Sequence, residues 1–364
     1  MRTVGIVAVF AVGLPVWVGQ AGCSDDGYRG RVVDDEGRAV GGCRWNVGTF
    51  CTNAVYGQGE SYIDHDDFSD HGTTAGDGTF AVGVPSDVCP SSSVAIDLFC
   101  SPGELLITVP APRHSIMFPD LPLWSPDEET VDTADETTIQ WTPVPSLVDS
   151  PSYTVFGLAS ASGGSSGGSL WLGGPVSDTG LTLDRRLLQD WTFDISIQGG
   201  GHSSLGVGLT WRAWSAVQVH GDRVPLSRGA ACSAIDVAGG RLDFPAGECP
   251  ATSGSVTGVI EGLSSDVGAI IVDLGAVTTF QAVTLQPPVM ILDPDTGGVI
   301  TVAVSVSDDC ATFAPIAATP TDPSFPALLD APGSGRCVRL DYPSEPNGLP
   351  YLHSAVWSGA VGVW

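Results

Sequence analysis

The chain has 364 residues, 43% of them hydrophobic, enough for two or three packed domains and too apolar for general disorder. Forty-seven Gly and 27 Pro, spread along the length, break it into short segments and disfavour long helices. With 41 acidic residues against 14 basic ones, all of them Arg, the net charge of −27 excludes nucleic acid and anionic headgroups as partners and leaves divalent cations and neutral ligands such as glycans.

The first element is a leader. Arg2 precedes an apolar run from Val4 to Val18 that is short for a membrane span and contains Pro15, and the small residues Ala21 and Gly22 follow. Gln20, Ala21, Gly22 and Cys23 resemble a bacterial lipobox, with Gln20 where the family usually has Leu. The resemblance implies a signal peptide over 1–22, cleavage before Cys23, lipid on that cysteine and a cell-envelope location. Ser24 in the next position implies outer-membrane delivery. More than one acyl chain is what stable anchoring requires.

Nine cysteines are present, and setting Cys23 aside leaves eight, an even number suited to an oxidising compartment. Proximity groups them as Cys43 with Cys51, Cys89 with Cys100, Cys232 with Cys249, and Cys310 with Cys337. No couple has CxxC spacing, so structural disulfides are expected rather than zinc or thioredoxin chemistry.

After a short linker over 23–27, the sequence predicts an all-β protein of tandem β-sandwiches. The first, over 28–112, begins with a strand from Tyr28 that runs into a turn at Asp34, Asp35, Glu36 and Gly37. A second turn at Asp77 and Gly78 leads into Phe80, Val82 and Val84, which alternate inward. These two segments resemble the carboxypeptidase regulatory-like domain, a small transthyretin-like sandwich that is non-catalytic in its family. Between them Asp64, His65, Asp66, Asp67, Asp70 and His71 form a dense acidic and imidazole cluster. Such groups can hold Ca²⁺ or Zn²⁺, but the EF-hand frame is missing and the run also reads as a solvated acidic loop.

The second sandwich, over 117–222, crosses an acidic stretch from Asp127 to Glu136 and then shows short strands at regular intervals. Their order is similar to fibronectin type III. Trp141 takes the core tryptophan place, and Phe193 stands where the family has its corner tyrosine. Gly163, Gly164, Ser165, Ser166 and Gly167 match the G-x-S-x-G hydrolase elbow, but they lie in a Gly/Ser-rich hairpin loop without a following helix. The six histidines include no HExxH pair, and no phosphate-cradling loop is present. No catalytic residue is assigned, and the chain is read as a non-enzyme.

The third module, over 225–364, carries Ile270 to Gly275, then Ser307 to Phe313, then Gly335 to Leu340. In order and spacing these strings resemble the discoidin (coagulation factor 5/8 type C) domain, a galactose-binding-like jelly roll. Cys310 replaces the family's Gly and Cys337 its Tyr-like residue, and a 310–337 bridge would account for both changes. Asp293 and Asp295 form either a turn or a structural Ca²⁺ site. Trp357 and Trp364 suit strand packing, with sugar stacking as the other reading.

The resulting expectation is an envelope lipoprotein that binds a glycan or another envelope component through its C-terminal module, without a cofactor. A structural spacer or scaffold subunit of an envelope complex is the alternative, and a divergent hydrolase the third.

Overall fold

The computed structural model describes residues 27–51, 62–63, 70–83, 93–101, 103–110, 115–160, 169–255, 258–286, 291–292, 299–322, 327–343 and 357–364. The regular structure of the described residues is almost all strand, with one four-residue helix, Arg185–Leu188, and one 3-10 turn, Pro250–Thr252. None of their helices is long and apolar enough to cross a membrane.

The first eight strands are β1 Gly27–Val33, β2 Arg44–Cys51, β3 Tyr62–Ile63, β4 Asp70–Thr73, β5 Thr79–Val82, β6 Ser93–Phe99, β7 Gly103–Pro110 and β8 Ser115–Pro122. Seven follow: β9 Glu128–Asp132, β10 Glu136–Trp141, β11 Val148–Ser160, β12 Ser169–Val176, β13 Gly180–Asp184, β14 Thr192–Ser203 and β15 Gly208–His220. Alternation of apolar residues drives most of them. In β7, for example, Leu105, Ile107 and Val109 are fully buried while the residues between them face outward.

These fifteen strands form one long sheet and two short ones. The long sheet runs β12-β11-β14-β15-β7-β6-β2-β3, with β4 also on β2. One short sheet is β5-β1-β8 and the other β13-β10-β9. The segments expected as separate sandwiches over 28–112 and 117–222 therefore share a sheet. They meet where β7 and β15 pair antiparallel from Gly208↔Thr108 to Ala213↔Gly103.

They share a core as well. A single buried cluster takes Tyr28, Phe80 and Leu121 from one short sheet, Ile139, Trp141 and Leu183 from the other, and Ile96, Ile107, Phe193 and Trp211 from the long sheet. The Trp211 indole N–H donates to the Pro122 carbonyl at 2.9 Å, satisfying a polar group that burial would otherwise orphan. Trp141 is buried at 4% exposure and lies 5.5 Å from the Tyr153 ring. Part of the acidic stretch expected as a crossing segment forms β9, the edge strand of its short sheet, and charged side chains such as these are a usual feature of edges that take no further strand.

The remaining strands are β16 Ala231–Asp236, β17 Arg241–Phe244, β18 Gly258–Ile260, β19 Val267–Gln286, β20 Ile291–Leu292, β21 Val299–Ile300, β22 Ala303–Ser307, β23 Ala314–Pro315, β24 Thr319–Pro320, β25 Leu328–Asp341 and β26 Trp357–Val363. Their main sheet runs β17-β16-β19-β25-β22-β23, and β26 pairs with β19 and β18. Ile270, Val272, Phe280, Val338, Leu340 and Val363 build a second core. The two apolar strings at 270 and 280 belong to one strand, β19, whose register shifts between Asp273 and Thr278, where Gly275 takes φ +81°.

The two cores are joined directly. Leu187 packs with Ala282, Ala327 and Leu328, and the Trp191 indole N–H donates to the Gly254 carbonyl at 2.7 Å. Arg228 forks onto Asp190 and also donates to Gln189 at 3.2 Å.

Three disulfides lie among the described residues: Cys43–Cys100, Cys232–Cys249 and Cys310–Cys337. The first overturns two expected couples, 43 with 51 and 89 with 100. β2 and β6 pair antiparallel with Arg44 opposite Phe99, so Cys43 and Cys100 face each other one step further on, 4.6 Å apart at Cα. Cys51 ends the same strand that Cys43 precedes. At about 3.3 Å per residue it is roughly 26 Å away, beyond any disulfide.

Candidate functional site

Strand alternation gives the long sheet a second, solvent-facing side. In β15, Leu209, Trp211 and Ala213 point into the core, which sends Thr210, Arg212 and Trp214 outward. In β11, Tyr153 and Val155 are buried, and Thr154, Phe156 and Leu158 lie on the outer side. Register then sets neighbours. Ser196 of β14 is flanked by Phe156 on one side and Trp214 on the other, and Gln198 by Thr154 and Arg212.

Phe156, Leu158, Ser196, Arg212 and Trp214 line a cavity of about 200 Å³. Trp214 is 59% exposed and Leu158 42%, unusual for large apolar side chains. Ser196 is only 4% exposed, and its hydroxyl has no hydrogen-bond partner among the described residues. Buried polar atoms are nearly always paired, so this hydroxyl in a cavity wall is left open to a water molecule or a ligand group.

Along the same face the aromatic wall gives way to a polar trough of about 600 Å³. Thr154, Gln198 and Thr210 supply hydroxyl and amide groups, and Asp149 and His202, paired in register, stand at its far end. Gly200, Gly201 and Gly208 leave its floor open. A side chain at Gly200 would come within 2.5 Å of the Leu209 carbonyl and 2.9 Å of Thr210.

On the other side of the cavity Arg212 Nη1 lies 3.5 Å from Glu104 Oε2, an ion pair that leaves little net charge at the wall. Asp97 on β6 is close to Glu104. Burial, followed by the neighbouring Glu104 carboxylate and partly offset by Arg212, pushes the Asp97 carboxyl up to about 7. Phe99, 41% exposed, adds another outward aromatic ring on the same strand.

The residues singled out from the sequence fall elsewhere. Cys23, Asp64, His65, Asp66, Asp67, Asp293 and Asp295 lie outside the described residues, as do Ser165 and Cys89. Asp70 begins β4, and its neighbour His71 is exposed opposite Asn46 of β2. The group of metal-type side chains found among the described residues, Asp273 with Cys310 and Cys337, offers no metal centre because both cysteines are in a disulfide. Asp273 instead accepts two hydrogen bonds from Arg336, at 2.9 and 2.7 Å, which hold its carboxyl below the usual range. Trp364 packs against the Leu187, Ala282, Ala327 and Leu328 cluster and donates its indole N–H to Thr284 at 3.1 Å.

Sequence reasoning missed the outer-face cavity. The signal for it was the alternation in Leu209 to Trp214, where Trp211 and Trp214 differ by an odd number of residues and so face opposite sides. The chain matches no family model, and no curated protein is significantly similar to it.

Proposed function

We propose that this is an exported envelope lipoprotein, anchored through Cys23, that acts as a non-catalytic binding protein for a glycan or another envelope component. The observation that carries the binding reading is the outer face of the long sheet. There an exposed indole and an orphan hydroxyl share one cavity, beside a trough of hydroxyl and amide groups with Asp149 and His202 at its far end. Apolar walls with a few fixed polar groups are the usual make-up of small-molecule sites. This moves the ligand from the C-terminal module, where the sequence suggested it, to the sheet shared by the first two segments.

The domain resemblances are part of the same proposal. The discoidin-like reading of 225–364 draws support from Cys310, which takes φ +59°, a conformation suited to the Gly it replaces. The fibronectin-like reading draws on the buried Trp141 and Phe193. The carboxypeptidase regulatory-like reading draws on Gly78, at φ +78°, before the inward Phe80 and Val82.

A glycan array probed with the full chain tests the binding reading. Retention of a neutral glycan by the wild type, lost in Trp214→Ala, is the expected result. Equal signals from both proteins, or none from either, would refute it. Mass spectrometry of the mature N-terminus tests the anchor: the expected species begins at an acylated Cys23, and an unmodified cysteine there removes the lipoprotein assignment.

A further inference from the structure

Resting on the binding reading above, we infer that the ligand is a linear, uncharged oligosaccharide lying along the strands of the long sheet, with one ring stacked on Trp214 and the following rings in the Asp149–His202 trough. Three features of the face lead to this ligand class. The 200 Å³ cavity is small for a drug-sized ligand yet is walled by the flat Trp214 and Phe156 rings, which suits the apolar face of a single sugar ring. The polar atoms beside it are hydroxyl and amide groups, Ser196, Thr154, Gln198, Thr210 and Thr108, the partners that sugar hydroxyls need.

Charge narrows the class further. The one cation in the cavity, Arg212, is already paired with Glu104, and Asp149 adds negative charge to the trough. On a chain of net charge −27, an acidic or sulfated glycan would be repelled.

The shape of the site sets the length. Ser196 and His202 are six residues apart on β14. At about 3.3 Å per residue the site spans roughly 20 Å, which takes several rings in line rather than one. Cavity and trough together follow the strands rather than crossing them. Phe156, Thr154, Ser152 and Asp149 line them successively on β11, and Ser196, Gln198, Gly200 and His202 do so on β14.

The test is calorimetric titration of the full chain with neutral hexose and N-acetylhexosamine oligosaccharides of increasing length, beginning with the monosaccharides. Affinity is expected to rise with each ring and level off once the trough is filled. Trp214→Ala should weaken every member of the series by roughly tenfold or more. The double variant Gln198→Ala/Thr210→Ala should keep the monosaccharide affinity and lose the gain with length. Near-UV circular dichroism of each variant establishes that it is folded. Equal affinity for mono- and oligosaccharides overturns the extended site and leaves the binding reading standing. Absence of binding across the series, or capture of an envelope protein instead, overturns the sugar assignment together with the glycan half of the binding reading.

Discussion

Ser196 on β14 stands directly opposite Trp214 on β15, the serine 4% exposed and the tryptophan 59%. A register pair usually shares one environment. Here the large apolar member faces solvent while the small polar one is buried without a partner among the described residues. Folding alone would favour the reverse, because exposing an indole and burying an unpaired hydroxyl both cost free energy.

That inversion predicts opposite effects on stability and binding. Ser196→Ala should stabilise the free protein by about 1 kcal/mol, since it removes an unsatisfied buried hydroxyl while keeping the small side chain. The same substitution should weaken glycan binding. Thermal melts paired with titrations check it, and a clear loss of stability in Ser196→Ala would show that the hydroxyl is paired after all.

The pairing of β7 with β15 predicts that residues 27–222 unfold as one unit. Leu105→Ala, at a fully buried position on β7, should cost about 2–5 kcal/mol. It should lower the melting temperature of both halves together, and a fragment ending near residue 112 should not fold, because its edge strand would be left bare. Hydrogen exchange resolved by peptide reads this directly. Separate transitions for 27–110 and 115–220 would contradict the shared sheet.

Disulfide mapping of a non-reduced digest should return linked peptides containing Cys43 and Cys100. In the C-terminal sheet, replacing both Cys310 and Cys337 with Ser opens a loop closed across a sequence separation of 27 residues. A loss of about 3.5 kcal/mol is expected from the chain-entropy estimate, read as a lower denaturation midpoint. An unchanged midpoint would mean that this bond adds nothing to the native state.

Two carboxyls predict opposite pH responses. Asp97 is pushed up to about 7 by burial and by Glu104, so between pH 4 and 7 the folded state holds a proton that the unfolded chain has released. Its contribution is complete below about pH 4 and is lost as pH rises through 7. Asp97→Asn should therefore raise the melting temperature at pH 8 and change it little at pH 4. Asp309 is drawn down to about 2 by the Thr312 N–H, the Ser307 hydroxyl and the Ala311 N–H. Its contribution is present above about pH 4 and is lost as pH falls through 2. Asp309→Asn should lower stability at pH 7, with the difference vanishing toward pH 2.

Much of the fold was legible because it is local. The turns at Gly37 and Gly78, the inward Phe80 and Val82 and the buried Trp141 all follow from neighbours within a few residues. What the sequence did not disclose is long-range. Nothing near Thr108 announces that its strand will pair with one beginning at Gly208, so two segments that read as separate sandwiches share a sheet. The same limit explains Cys43. Its partner is set by the β2–β6 register, not by distance along the chain, and Cys100 lies 57 positions away. The outer-face site was hidden for a related reason. Trp214 is a tryptophan like its buried neighbour Trp211, and only their odd spacing on one strand separates the exposed ring from the core.

The central claim, that the ligand lies on the outer face of the long sheet, is tested most directly by hydroxyl-radical footprinting of the full chain with and without a saturating neutral oligosaccharide. Protection of Trp214, Phe156 and Leu158 is expected, with little change at Trp364 or elsewhere in residues 225–364. Protection confined to residues 225–364, with Trp214 as reactive in the complex as in the free protein, would contradict it.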